Sequence, residues 1–188
     1  MFSIYVLSIR SEVDYDGMGK SNTFADFVEL TRLLKSIHVG SLSSEERKAF
    51  MINLYNSLTV HGLVNGLLGD AASSMSRMKF YASASYVVSG VVLSLNDIEH
   101  GILRGNKKSP LYLSSEPFAC DDHEHLALCV DLDPRIHFAL NCGAKGCPPI
   151  AVYSASSLDS QLDRATRSYL SETVIDTEKN SISISMLF

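Results

Sequence analysis

The feature that most constrains the fold is a long stretch with helical periodicity that begins at Ser43. Ser43 and Glu46 have the spacing of a capping box, in which each side chain hydrogen-bonds the backbone N–H of the other residue. Apolar side chains then recur with the helical period, at Phe50, Met51, Leu54, Tyr55 and Leu58. The pattern predicts a helix that ends near Gly66 or Gly69, because glycine commonly follows the last helical turn.

An earlier segment, from Thr23 to Ile37, also repeats its apolar residues with the helical period. These residues are Phe24, Phe27, Leu30, Leu33 and Leu34. Only a short loop around Gly40 separates this segment from the helix that begins at Ser43, and short connections join antiparallel neighbours. We therefore expect a helical N-terminal half.

The middle of the sequence changes character. β-Branched residues between Tyr86 and Val92 are interrupted by Ser89-Gly90, which is typical of extended chain around a turn. Ser94 and Asp97 then repeat the capping-box spacing, so a new helix that carries Glu99, His100 and Arg104 is predicted to follow.

The C-terminal part predicts one helix and one hairpin. Leu158, Leu162, Ala165 and Tyr169 share a helical face between Leu158 and Leu170. Val174-Ile175 and Ile182 to Ile184 then flank the turn Glu178-Lys179-Asn180. Since the helices come early and the strands late, we expect an α+β fold, with the helical N-terminal half packed on a small, mainly antiparallel sheet.

Composition limits the function. The 188 residues, 46% of them hydrophobic, are enough for one core and predict a single domain, residues 1–188. A net charge of −5 without a cluster of Lys and Arg argues against a nucleic-acid partner. The longest apolar runs are far below the roughly twenty residues of a membrane span, and no signal peptide is recognisable. We expect a cytoplasmic protein with free thiols and no cofactor.

The richest segment for chemistry is the run HFALNCGAKGCPP, His137 to Pro149. Alternation of Ile136, Phe138 and Leu140 with polar or small residues predicts a strand that enters a turn-rich loop. Cys142 follows that strand, and Gly143-Ala144 could offer backbone N–H groups to a carbonyl oxygen. Cys142 is therefore the preferred nucleophile.

Two histidines compete for the role of base. His137 lies five positions before Cys142, which is about 16 Å along a strand and on the opposite face, so these two are not expected to pair. His100 shares its predicted helix with Glu99, which could fix the tautomer of the ring. The sequence ranks His100 slightly above His137.

Structural interpretations compete with the catalytic ones. Cys142 and Cys147 could be buried small side chains or a disulfide pair, and either histidine could be a core residue. Asn53, a further candidate for the site, and Asn56 lie one helical turn apart and are typical of buried hydrogen-bond donors and acceptors.

Other polar residues have no clear metal-binding pattern. The spacing CGAKGC matches no standard zinc site. His123 and His125 lie in a polar segment, which favours a solvated loop over a metal site. Arg104 and Arg135 could form ion pairs or bind a substrate carboxylate.

Three segments together carry a resemblance to a known family. They are ERKAFMINLYNSLTVHG (Glu45 to Gly62), SLNDIEHGILRGN (Ser94 to Asn106) and DPRIHFALNCGAKGCPPI (Asp133 to Ile150). The chain resembles the domain of unknown function 547 family, from about Val13 to the C-terminus. The resemblance implies a distant relationship to papain- and transglutaminase-like cysteine hydrolases. In longer animal proteins such domains follow glutaredoxin-like or DEP domains.

The chain also differs from the family and from its proposed relatives. The family continues beyond Phe188 into an aromatic and basic segment, so we expect the C-terminus to be truncated. The transglutaminase comparison places the nucleophile on the helix from Phe50 to Val60, which contains no cysteine. By that comparison the domain would be inactive, with His137 as a remnant.

The leading hypothesis is a cysteine hydrolase that acts on amide or thioester bonds of a peptide or protein substrate. Its candidate site residues are Cys142, His100, His137, Glu99 and Asn53. The alternative is a catalytically inactive interaction or scaffold domain of a redox or signalling protein. A third hypothesis is redox sensing through a disulfide between Cys142 and Cys147.

Overall fold

Helices build the N-terminal half of the chain. The computed structural model describes residues 13–70, 73–108, 115–144 and 146–171, with the backbone of 174–176 and 181–183. Helix α1 spans Tyr15–Gly19, α2 spans Asn22–Thr31 and continues into a 3₁₀ turn at Arg32–Ser36, and α3 spans Ser44–Val64. The predicted helical N-terminal half is confirmed.

Helix α3 is the centre of the core. Its capping box is formed as predicted, with Ser43 Oγ accepting from Glu46 N at 3.2 Å and Glu46 Oε2 accepting from Ser43 N at 2.9 Å. Buried side chains lie on several of its faces: Ala49, Met51, Ile52, Leu54, Tyr55, Leu58 and Val60. Because these buried side chains lie on several faces of the helix, later elements pack around α3. Near its C-terminal end, His61 lies edge-on against Phe24 of α2.

A tight hairpin follows the next helix. Helix α4 spans Ser74–Ser83, and the antiparallel strands β1 (Ser85–Val88) and β2 (Val91–Ser94) pair with Tyr86 opposite Leu93. Ser89 and Gly90 both have positive φ, 52° and 86°, as a type I′ turn requires. The Ser89 hydroxyl donates to Ile37 O at 2.8 Å, which ties the hairpin to the loop after α2.

The segment after β2 carries two of the candidate site residues. Ser94 and Asp97 form the predicted cap, with Asp97 Oδ2 accepting from Ser94 N at 2.9 Å. The chain then forms a π-helical turn at Asp97–Ile102 instead of a regular α-helix. Such turns are rare and occur often at functional sites. Ile98 and Ile102 enter the core, and Glu99 and His100 are half-buried.

The predicted strand before Cys142 was wrong. Residues Pro134–Phe138 form a 3₁₀ helix, after the short helix α5 at His123–Leu126. Asp133 caps this 3₁₀ helix by accepting from Arg135 N at 3.0 Å, and Pro134 supplies the fixed φ that suits a first helical position. Ile136, Phe138 and Leu140 are buried as expected, but Ile136 and Phe138 lie in the 3₁₀ helix and Leu140 follows it.

The remaining elements complete an α+β fold. Helix α6 spans Leu158–Leu170, as predicted, and strands β3 (Val174–Asp176) and β4 (Ser181–Ser183) pair antiparallel. The turn predicted at 178–180 lies outside the described residues. Within the described chain the strands form two separate two-stranded sheets instead of the one small sheet expected. Among these residues, the helices are too short or too polar to span a membrane.

Two asparagines of α3 connect the helix to later loops, which confirms their structural interpretation. Asn53 bonds both backbone groups of Tyr153, donating at 2.7 Å and accepting at 2.9 Å. Asn56 donates to Ala139 O at 3.0 Å and accepts from Asn141 N at 2.8 Å. The second pair fixes the chain immediately before Cys142.

Loss of the Asn56 amide should destabilise the fold. Asn56 is 2% exposed, so Asn56→Ala leaves a buried carbonyl and a backbone N–H unpaired. We expect the free energy of unfolding, measured by urea denaturation, to fall by about 1–3 kcal/mol. Asn65→Ala, at an exposed position at the end of the same helix, is the matched control. Equal effects of the two substitutions would contradict the assignment.

Candidate functional site

A cavity of about 250 Å³ brings together side chains from distant parts of the chain. Its lining comprises Tyr55, Glu99, His137, Leu140, Cys142, Ala144, Gly146, Cys147, Pro148 and Tyr169. They come from α3, the π-helical turn, the 3₁₀ helix at 134–138, the cysteine loop (residues 141–148) and α6. The cavity therefore brings together three of the five site residues predicted from the sequence, Glu99, His137 and Cys142.

The cysteine loop is held by the side chain of Asn141. Its Nδ2 donates to Pro148 O at 2.8 Å, and its Oδ1 accepts from Gly143 N at 2.8 Å. Gly143 has φ +83°, a conformation that favours glycine. Asn141 occupies the Gly143 N–H, and the Ala144 N–H is directed to the Cys142 sulfur, so both of the oxyanion donors expected from the sequence are already engaged.

The two thiols of this loop are in direct contact. Cys142 Sγ and Cys147 Sγ lie 2.8 Å apart, and Cys142 N donates to Cys147 Sγ at 3.3 Å. The hydrogen bond from Cys147 lowers the pKa of Cys142 to about 6, with help from Ala144 N–H and the Tyr81 hydroxyl, against burial and the charge of Glu99. The same hydrogen bond, together with burial, raises the pKa of Cys147. The pair therefore holds one thiolate, on Cys142, and one thiol, on Cys147, at neutral pH.

Tyr81 lies beside this pair. Its hydroxyl donates to Cys142 O at 3.1 Å, and burial and then Cys142 raise the pKa of the phenol. This tyrosine remains a neutral donor that can turn between the carbonyl oxygen and the sulfur of Cys142.

His137 lies between a carboxylate and a cation. Its Nδ1 is 3.8 Å from Glu99 Oε1, and its Nε2 is 3.4 Å from Arg104 Nη1. Since arginine can only donate, Nε2 accepts and the proton of the neutral ring is on Nδ1, facing Glu99. Burial lowers the pKa of His137, and the charges of Arg104 and His100 lower it further, against the opposing effect of Glu99. His137 is therefore neutral at pH 7.

Glu99 has a second partner in Tyr55 of α3. The Tyr55 hydroxyl donates to the Glu99 carboxylate, and burial, followed by the charge of Glu99, raises the pKa of Tyr55 well above its usual range. This buried phenol holds Glu99 in position beside His137.

The two candidate histidines differ in their position relative to the cavity. His137 lines the cavity with Cys142, whereas His100 is not among the described lining residues. The Nδ1 of His100 is buried without a hydrogen-bond partner in the described part of the chain. His137 lies on a 3₁₀ helix and not on the predicted strand, so the strand geometry that would place it on the opposite face from Cys142 does not apply.

Other predicted residues have structural roles. Asn53 bonds Tyr153 and is not among the residues that line the cavity. Arg135 pairs with three carboxylates, those of Asp133, Asp159 and Asp163, as its ion-pair interpretation predicted. His125 bonds Asp122 Oδ1 at 2.9 Å and stacks on Phe118.

Sequence reasoning missed the site roles of the tyrosines. Tyr55 was counted only as part of an apolar stripe, while Tyr81 and the cavity-lining role of Tyr169 were not anticipated. Their positions depend on packing between distant elements, and no local pattern marks them. The Asp-Pro pair at 133–134 is a local signal that could have predicted the helical turn carrying His137.

Removal of the cation beside His137 should raise the pKa of that histidine. In Arg104→Met the apolar stem remains while the charge and the donor to Nε2 are lost. NMR titration of the His137 ring should therefore show a higher pKa than in the native protein, and Glu99→Gln should lower it. Arg32→Met, at an exposed site on the surface, is the control. An unchanged titration in Arg104→Met would contradict this account.

Comparison with known proteins gives one match. Residues 39–170 match the protein family described as "Protein of unknown function, DUF547". No curated protein and no solved structure matches the chain. The matched range includes α3, the π-helical turn, the cysteine loop and α6, so it contains all the lining residues of the cavity. The chain therefore belongs to the DUF547 family.

Proposed function

We propose that this domain is a cysteine hydrolase that cleaves acyl thioesters in preference to amides, with Cys142 as the nucleophile. The observation that carries the proposal is the shared cavity of Cys142 and the His137–Glu99 pair. A stabilised thiolate beside a neutral imidazole contains the two reactive groups that acyl transfer requires. The relationship to papain- and transglutaminase-like hydrolases, implied by the family resemblance, is part of this proposal.

The protonation states favour a thioester substrate. An amine leaving group needs a proton during cleavage, but a neutral His137 has none to give from its accepting nitrogen. A thiol leaving group, with a pKa of about 8.5, departs as the thiolate without that help. The Cys142 thiolate attacks the carbonyl carbon, the carbon–sulfur bond to the leaving thiolate breaks, and an acyl-Cys142 intermediate remains.

Hydrolysis of the intermediate then requires a base for water. Neutral His137 can take the proton through Nε2, while Nδ1–H faces the Glu99 carboxylate. The water oxygen bonds the acyl carbon, the bond to Cys142 Sγ breaks to restore the thiolate, and the carboxylic acid leaves. For this step, Arg104 must move away from His137 Nε2 so that the water can bind there. Its contact of 3.4 Å is longer than a normal N–H···N or N–H···O bond, so the exchange costs little.

The same arginine favours a second function, a catalytically silent interaction domain. If Arg104 stays on Nε2, His137 has no free lone pair and the Glu99 contact of 3.8 Å is too long for a hydrogen bond. In that case the polar network would only stabilise the fold. Either function is compatible with a protein or peptide partner, with a cytoplasmic location, and with the occurrence of such domains in longer proteins.

The pH dependence of alkylation tests the nucleophile. Labelling of Cys142 by iodoacetamide should reach half of its plateau near pH 6 and change little above about pH 7, because the thiolate fraction is then saturated. Cys120, which is exposed, is the reference thiol in the same molecule. Peptide mapping follows each cysteine separately. A Cys142 profile that parallels that of Cys120 would sink the nucleophile assignment.

Acyl trapping tests the reaction itself. The protein is mixed with S-phenyl thioacetate or with acetanilide, which present the same acyl group on a thiol or an amine. The thioester should acetylate Cys142 and turn over, and the amide should react far more slowly. His137→Gln should still form the acyl-enzyme but release it about 100-fold more slowly or worse.

Two controls separate the proposals. Cys142→Ser should abolish thioester turnover, and Cys129→Ser should preserve it. Acetylation of Cys142 and Cys120 at equal rates, without turnover, would instead support the silent domain.

A further inference from the structure

We propose that Cys142 and Cys147 form a peroxide-reactive dithiol site, which a hydroperoxide converts into a reversible intraloop disulfide. The geometric basis is the contact of the two sulfurs at 2.8 Å within one cavity, in a loop whose ends are tied together. This reaction goes beyond acyl transfer, since it needs neither an acyl substrate nor His137.

The loop geometry prepares the two sulfurs for bonding. Asn141 holds Pro148 O at 2.8 Å and is itself held through its backbone N–H by Asn56 of the buried helix α3. A disulfide bond of about 2.05 Å requires the sulfurs to approach by less than about 1 Å. The closure therefore needs a local adjustment and no separation of secondary-structure elements.

The two thiols have the unequal roles that the reaction needs. Cys142 carries the thiolate, which is the form that attacks a peroxide, and Cys147 keeps its proton. Both side chains line the cavity, so a small oxidant can reach them. Apolar and aromatic neighbours, Leu140, Pro148 and Tyr169, also suit an organic hydroperoxide.

The reaction balances in two steps. The Cys142 thiolate attacks the distal oxygen of ROOH, the O–O bond breaks, and RO⁻ leaves to take a proton from water, which yields Cys142 sulfenic acid and ROH. The Cys147 sulfur then attacks the sulfenic sulfur, its thiol proton goes to the departing hydroxide, and a disulfide and water form. The peroxide gains the two electrons that the thiols lose, and a dithiol reductant restores both cysteines.

The consequence for the proposed hydrolase is loss of the nucleophile. A disulfide has no thiolate, so acyl transfer by Cys142 would stop until reduction. Only this consequence rests on the proposed function. Rapid closure would also protect Cys142 from irreversible oxidation to the sulfinic acid.

Mass spectrometry of the full chain tests the site. The reduced protein is treated with one equivalent of hydrogen peroxide or cumene hydroperoxide and then mapped by peptides. We expect a loss of about 2 Da on the peptides that contain Cys142 and Cys147, at least tenfold faster than any oxidation of Cys120, and reversal by dithiothreitol.

Two variants distinguish the steps. Cys147→Ser should leave a Cys142 sulfenic acid that dimedone traps, and Cys129→Ser should form the disulfide at the native rate. Sulfinic acid as the first product in the native protein, a disulfide with another cysteine, or oxidation no faster than that of Cys120 would each overturn the proposal.

The outcome is separable from that of the hydrolase. A disulfide that forms in a protein unable to acylate Cys142 would leave this inference standing and refute acyl transfer. Acylation and turnover without disulfide formation would support acyl transfer and refute the dithiol site.

Discussion

The buried amide of Asn56 is the interaction on which the site depends. It joins the most buried helix, α3, to the backbone on both sides of Leu140, through Ala139 O and Asn141 N. Asn141 in turn holds Gly143 and Pro148, so the buried side chain of Asn56 anchors the residue that ties the two ends of the cysteine loop together. A polar group that is this buried must keep its partners, since each unpaired donor or acceptor costs about 1–3 kcal/mol. The requirement makes the position of Cys142 a consequence of core packing.

The chemistry of the cavity depends on which of its side chains carry a proton. The contact between the thiols places the charge on Cys142, while burial and the cation of Arg104 keep His137 uncharged. A thiolate that does not need an imidazolium partner differs from the usual cysteine–histidine ion pair. The same protonation states are the basis of both proposed reactions, attack on an activated acyl group and attack on a peroxide.

Local signals in the sequence predicted much of the fold. The capping boxes at Ser43 and Ser94 and the amphipathic pattern of α6 specify hydrogen bonds and faces within a few residues, so periodicity and spacing reveal them. Alternation of Ile136, Phe138 and Leu140 predicts a strand before Cys142, whereas the structure buries the first two residues from a 3₁₀ helix. The cap by Asp133 and the proline after it determined the helical alternative.

The sequence by itself determined the α+β class, the main helices, the position of the two cysteines in a turn-rich loop and the acidic composition. Only the tertiary structure decided which histidine and which tyrosines line the cavity together with Cys142. Tyr55 and Tyr169 are 114 residues apart, yet they line one cavity with the cysteine loop between them. These residues become neighbours because several elements pack against α3. That packing depends on the whole core, so no local stretch of sequence reveals it.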